Sequence, residues 1–516
     1  MSEPPSPMSG RHPRLGERRL PLACFLPVQA LLLLVAPGHL PLWGDEYASL
    51  TRADLPETAL LEALRHNVHP PLYAEVLQRW LALPWHASEL VRARVLSALL
   101  VLSTTVVLDR TWLRQVDART RTWFLLLWTF SPALLLYGRM ARSYSLQLAL
   151  ATPALWLGWQ VVQAPRLRTA CACAGLVALL LYTHYLPGLA VLGAISLCIV
   201  GRWIGTRQPL LLGALLLLWT IVGLAYLPWI SALGLALGRV EHGTPYSPLG
   251  GGWLDAAAGL AYALLSFSVG EALWPWIPAL VSLLALGLAL WLWRALRAPP
   301  AWLALLLPVA AIAWLGATRW VSYAFVAARL LFLLPFYLLL LLHGVRDAPR
   351  LRTAVGGLWL ALSIAGLAAY FAGVGFLNQA YVIPAEAIAH AIAPPDRATI
   401  PSVVLDHRSI NLTPLQLYLP PAAEVRLVQS AADADAAAAL PVPASGRLWF
   451  AHAAHDTSPD GGNARIEAAW RARCPVHRQH FAPFSALDRQ LMRLAGWPTR
   501  PDYAVELLEL RCPPAH

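Results

Sequence analysis

The stretch PLACFLPVQALLLLVAPGHLPLWGDEY, residues 21–47, decides the fold. From Pro21 to Trp43 it contains no Asp, Glu or Arg, and it is about as long as the 20 residues an apolar segment needs to cross a bilayer. It then sets Asp45 and Glu46 side by side. Two carboxylates where a membrane segment meets water are costly unless solvated or used. Arg11, Arg14, Arg18 and Arg19 precede the run and place its start in the cytoplasm. Pro37 and Pro41, with no small-x-small site before Trp43, mark a retained anchor and not a cleaved signal peptide.

The rest of the chain repeats that apolar character. Of 516 residues, 58% are hydrophobic and 13% charged, and the mean hydropathy is +0.54. That surplus of apolar surface has to face lipid. All 39 basic residues are arginine, giving a net charge of +11. In the membrane domain many of them sit in short loops between apolar spans, where the positive-inside rule accounts for most of them, and this argues against nucleic-acid binding.

Runs long enough to cross lie at 21–43, 89–109, 122–138, 143–163, 169–186, 187–201, 209–230, 273–293, 301–318, 321–342 and 353–376. With about eleven transmembrane helices, the arginine-bearing loops at 110–121, 166–168, 202–207, 294–297 and 346–352 all fall on the cytoplasmic side. A twelfth crossing at 254–269 would break this alternation, so that segment reads as interfacial or re-entrant. The expected organisation is a cytoplasmic basic N-terminus (1–20) and an α-helical polytopic membrane domain (21–376) with outer loops at 44–88 and 231–272. An external, periplasmic α/β domain (377–516) follows.

Within the first outer loop, Leu60, Leu61, Leu64 and Val68 share one helical face, and Leu72, Val76, Leu77, Trp80 and Leu81 form a second. In the tail, a helix is expected over 381–393, β-like runs at 402–406, 424–428, 447–451 and 503–510, and a helix plus linker over 430–445. Cys474 and Cys512 both lie in this tail, where an oxidising compartment lets them pair. Cys24, Cys171, Cys173 and Cys198 lie in spans and behave as small hydrophobes.

Arg94, Arg139, Arg142 and Arg329 lie at or within the outer ends of spans. A guanidinium at such depth needs an anion or a water-filled cavity. A phosphate fits its planar fork; a structural pair with Asp45, Glu46 or a helix carbonyl is the alternative. His69, in HPPLY, and His184, in LYTHY, are candidates to touch substrate, or they are structural and interfacial residues. No Gly-rich phosphate loop, zinc spacing or Ser/His/Asp set is present, so nucleotide-sugar or ATP use finds no support.

Five motifs occur in order: Asp45-Glu46; His69-Pro70-Pro71-Leu72; Arg94 with Ser97; Ala141-Arg142-Ser143-Tyr144; and Thr183-His184-Tyr185. Together they resemble the bacterial members of glycosyltransferase family 39, relatives of protein O-mannosyltransferases and of the lipid A aminoarabinose transferase with the GT-C membrane fold. The resemblance covers roughly residues 20–345. It departs at Arg329-Leu330, where family members often carry Arg-Tyr.

The resemblance implies a polyprenyl-phosphate sugar donor, an envelope lipid, glycan or protein acceptor, and inverting transfer at the outer face of the bacterial inner membrane. Asp45 is then the base and Glu46 its support, orienting the acceptor or binding a divalent cation. Arg94, Arg142 and Arg329 hold the donor phosphate. His69, Tyr144, His184 and Tyr185 contact substrate. The rival readings are a lipid or glycan transporter, for which the matched halves of transporters are missing, and a scaffold whose tail binds partners.

Overall fold

In lipid every backbone N–H and C=O must find its partner within the segment, so apolar runs of this length become helices. The computed structural model describes residues 20–513 apart from 66–68, 242–252, 273–277, 321–325, 377, 395–399, 409, 444, 455–460 and 484–503. The four N-terminal arginines, Val68 and Tyr503 therefore lie outside the described residues. Among the described residues, five helices are long and apolar enough to cross a membrane: Glu89–Gln115, Tyr185–Thr206, Pro209–Leu235, Leu280–Arg297 and Pro349–Ala372. Shorter apolar helices, among them Leu167–Thr183, Leu303–Ala317 and Leu331–Gly344, pack with them. The chain is a multi-pass α-helical membrane protein with a small α/β domain behind it.

The first apolar run is not one helix. It is helical over Leu26–Leu34. Ala36 then takes a left-handed conformation (φ 42°), and Pro37 and Pro41 forbid helix from there to Trp43. The break leaves carbonyls without helical partners, and two buried arginines supply them. Arg139 donates to the carbonyls of Val35 (2.8 Å) and Ala36 (2.6 Å). Arg94 donates to those of Pro37 (2.8 Å), Leu40 (2.8 Å) and Pro41 (3.2 Å). The run at 122–138 is likewise split, into Ala118–Thr129 and Pro132–Arg139, at Pro132.

The loop after the first run holds three helices where the sequence suggests two: Gly44–Ala53, Glu57–Arg65 and Leu72–Leu81. Leu60, Leu64 and Leu77 are buried, as the helical faces require. The helix Trp253–Val269 packs against Pro132–Arg139, Leu303–Trp320 and Pro349–Ala372. It is pinned by Glu271, whose carboxylate accepts from the hydroxyls of Tyr137 and Tyr262.

The C-terminal domain is a five-stranded sheet: β1 (Ser402–Asp406), β2 (Glu424–Val428), β3 (Arg447–Ala453), β4 (Val476–Phe481) and β5 (Val505–Arg511). Its order is β2-β1-β3-β5-β4, with β1 parallel to β2 and β3, and β5 antiparallel to β3 and β4. Side chains alternate between two faces. Val403, Leu405 and Trp449 meet helix Ala385–Ile392 on one face. Val404, Phe450 and Leu508 meet Ala434, Ile466 and Trp470 on the other. Cys474 and Cys512 form a disulfide, with Cα atoms 5.2 Å apart.

Candidate active site

Helix Gly44–Ala53 sets the geometry. Asp45 and Glu46 lie in its first turn, where the helix dipole favours negative charge. The helix buries Glu46, Ser49, Leu50 and Ala53, the i, i+3, i+4, i+7 stripe of a helix that packs on one side. Adjacent residues point about 100° apart on a helix, so the two carboxylates part company.

The Glu46 side chain is fully buried. Arg94 grips it through both fork positions, Nε to Oε1 at 2.9 Å and Nη2 to Oε2 at 2.6 Å. The Ala141 N–H adds a third bond at 2.8 Å. With the three carbonyls of the broken helix, Arg94 thus has a protein acceptor for each of its five donors. The sequence expectation of Arg94 on a phosphate and Glu46 on a cation meets a pair that already satisfies itself. It ties the first apolar run, the second and the Ala141-Arg142 turn together.

Asp45 keeps 41% of its side chain exposed. Its Oδ2 lies 3.3 Å from Arg142 Nη2, and Arg142 Nη1 also donates to the Asp45 carbonyl and to Ser49 Oγ, each at 3.2 Å. The same guanidinium reaches His69 Nε2 at 3.4 Å. The His69 ring lies 6.0 Å from that of His184, whose Nε2 faces Arg329 Nη1 at 3.2 Å. Arg329 lies over the Tyr144 ring at 5.5 Å. Asp45, His69, Arg142, Tyr144, His184 and Arg329 thus form one cluster drawn from five segments.

Tyr185 stands apart from this network: its hydroxyl accepts from Trp229 Nε1 at 3.2 Å. Arg52, which the motifs do not include, joins the cluster. It lines a cavity of about 30 Å³ with Ser49, His69, Tyr73, Arg142 and Thr183. Positions 45, 49 and 52 follow helical i, i+4, i+7 spacing, a signal that can be read only once the helix is known to start at Gly44.

The electrostatics are lopsided. Three guanidiniums, those of Arg52, Arg142 and Arg329, share the cluster with one carboxylate, Asp45. Burial, and then the charges of Arg142, Arg329, His184 and Arg52, push the His69 pKa well below its usual range. Burial and Arg142 also lower that of Arg52, with Asp45 opposing them. His184 has donors at both ring nitrogens, Arg329 at Nε2 and the Leu186 N–H at Nδ1 (3.1 Å), while a neutral imidazole offers one acceptor. The buried Arg329 Nε has no acceptor among the described residues. Such a surplus of donors and positive charge suits an anion. No group of three or more His, Cys, Asp or Glu that could hold a metal occurs among the described residues.

No family model matches the chain, and no curated protein does. Among solved structures it is similar to the Archaeoglobus fulgidus oligosaccharyltransferase in complex with zinc and sulfate (14% identity, TM-score 0.43). That match covers 74% of this chain and 59% of the archaeal one, so this chain spans about three fifths of its length. It is also similar to ArnT from Cupriavidus metallidurans bound to undecaprenyl phosphate (16% identity, TM-score 0.48), a match that covers 95% of this chain and 99% of that one.

Proposed function

We propose that this chain is a GT-C-type membrane glycosyltransferase that moves a sugar, with inversion, from a polyprenyl-phosphate donor to an acceptor. The acceptor is a hydroxyl or phosphate of a cell-envelope lipid, glycan or protein. The observation that carries this reading is the half-exposed Asp45 carboxylate beside Arg142, in a cluster with two further guanidiniums. The five ordered motifs of the sequence support the same reading.

In the proposed reaction the acceptor oxygen attacks the anomeric carbon and gives its proton to Asp45. The bond from that carbon to the phosphate oxygen breaks, and its electron pair leaves with the phosphate. A phosphate is a weak base and needs no protonating acid, unlike the leaving oxygen of a glycosidase. Arg142 and Arg329, backed by Arg52, hold the phosphate and take up the charge that grows on it. His69, kept neutral, accepts from Arg142 and fixes its fork. The Glu46–Arg94 pair positions both the Asp45 helix and the Arg142 turn.

We place this end of the bundle and the α/β domain outside the bacterial inner membrane, with the N-terminus in the cytoplasm, on the arginine distribution of the loops. The test is mass spectrometry of envelope lipids, glycans and proteins from cells with and without the chain, paired with undecaprenyl phosphate binding to the purified protein. A component that loses one sugar mass on deletion is expected. Unchanged envelopes together with no binding of the lipid would rule the reading out.

A further inference from the structure

The sheet of the C-terminal domain changes direction between β1 and β3. β2 pairs on one side of β1, and the chain then crosses to place β3 on the other. In sheets of this kind ligands bind outside the carboxyl ends of the strands at that switch point. The loop leaving β1 there is directed at the membrane domain.

The contact is intimate. Asn411 presses on Gly44 so closely that a Cβ at Gly44 would lie 2.9 Å from its Cγ. The Tyr418 hydroxyl accepts from the Leu42 N–H at 2.9 Å. Between the two domains lies a cavity of about 390 Å³, within the size range of small-molecule sites. Asp45, His407 and Asn411 supply its polar groups, and Trp43 and Leu412 are among its apolar walls. Asp45 therefore has the arginine cluster on one side and this cavity on the other.

The loop holds its polar groups ready. Asn411 Oδ1 accepts from the Thr413 N–H (3.2 Å) and hydroxyl (2.6 Å), which fixes its amide nitrogen toward Gly44. His407 Nδ1 lies 3.2 Å from the same oxygen; donating there, it keeps Nε2 as an acceptor. Amide donor, imidazole acceptor and carboxylate around a partly apolar hollow match the hydroxyls and C–H faces of a sugar.

We propose that this crevice is the acceptor subsite and that it binds a saccharide headgroup, with one hydroxyl directed at Asp45. The proposal rests on the transfer reading above. It assigns to the α/β domain the recognition of the group that receives the sugar.

The test uses full-length chain with Asn411→Asp, which keeps the oxygen that caps Thr413 and loses the amide donor, and with Ala380→Trp, which fills the cavity from its rim. Each is expressed in cells lacking the parent, and the sugar-bearing envelope product is measured. Undecaprenyl phosphate binding to each purified variant is the second readout. Product should fall about 10-fold or more, the effect of one or more lost hydrogen bonds to substrate, while affinity for undecaprenyl phosphate stays within about twofold of the parent. Should Ala380→Trp fail to fold, the Asn411→Asp result decides. Parental product levels in the folded variants would overturn the assignment, as would affinity for undecaprenyl phosphate that falls in step with product. If the parent itself binds no undecaprenyl phosphate and its deletion removes no sugar, the transfer reading fails first and takes the subsite with it.

Discussion

The carboxylate of Asp45 lies 3.3 Å from the guanidinium of Arg142, although 97 residues separate them. One side chain is 41% exposed and the other only 6%. The pair thus joins a group that water or a substrate can reach to one held firmly by protein. In the proposed reaction the proton and the leaving charge are handled at this single contact.

Replacing Asp45 by Asn keeps the shape and removes the base. Transfer should fall by about 100-fold or more, with undecaprenyl phosphate still bound. Turnover is measured with the envelope product identified by mass spectrometry. Near-parental rates from a folded Asp45→Asn protein would remove Asp45 from the role of base.

Lysine at position 142 or 329 keeps the charge and loses the planar fork. Both Arg142→Lys and Arg329→Lys should weaken undecaprenyl phosphate binding by about 10-fold, one charge-assisted hydrogen bond each. Competition with a fluorescent polyprenyl phosphate reads this directly. Equal affinity in parent and both variants would mean that the phosphate binds elsewhere.

Arg94 should behave differently from those two arginines. Its donors are committed to Glu46 and to the carbonyls left by the break after Leu34. Arg94→Met leaves a buried carboxylate unpaired and should lower stability by about 3–5 kcal/mol. The double variant Arg94→Met/Glu46→Gln should recover part of that loss, and unfolding followed in detergent would show it. A single variant as stable as the parent would mean that the pair is not structural.

How much of this was legible in the sequence depended on rarity and on distance along the chain. Asp45, His69, Arg142, His184 and Arg329 stood out because polar groups at the ends of apolar runs are few, and they do converge. For Arg94 the sequence left a phosphate and a structural pair with Glu46 or a carbonyl both open. The choice could not be made because its carbonyl partners exist only once the first run breaks at Ala36–Pro37. Arg52 was hidden because the loop did not announce a helix beginning at Gly44. Strand β4, VHRQHF, is a polar edge strand with little burial, so no alternating pattern marked it. The contact of Tyr418 with Leu42 spans 376 residues, a separation at which no local pattern speaks.

His69 makes the cluster sensitive to acid. Its pKa is held well below the ordinary 6.5 by burial and by the surrounding guanidiniums. The folded protein therefore disfavours the proton that the unfolded chain takes up below about pH 6.5. Its contribution is fully present above that pH and is lost as the pH falls toward the depressed folded value. Melting temperature should drop between about pH 7 and 5, and His69→Gln should flatten that part of the curve. The same acid slope in both proteins would place the sensitivity in another group.

The disulfide between Cys474 and Cys512 ties the segment before β4 to the end of β5, closing a loop across 38 residues. It restricts the unfolded chain more than the folded one, so reduction should cost the α/β domain about 2–4 kcal/mol. That loss bears on the membrane domain too, because Asn411 and Tyr418 hold the α/β domain against Gly44 and Leu42. Hydrogen exchange on the full chain, with and without reductant, should show protection falling first in β4 and β5. Thiol labelling gives the direct check on the bond. Labels found on Cys474 and Cys512 themselves before reduction would show that the bond is not formed in the cell. Labelling by an impermeant reagent after reduction, with the inner membrane intact, would place the domain outside. Labelling only after that membrane is broken would put it in the cytoplasm and remove one crossing from the count of eleven.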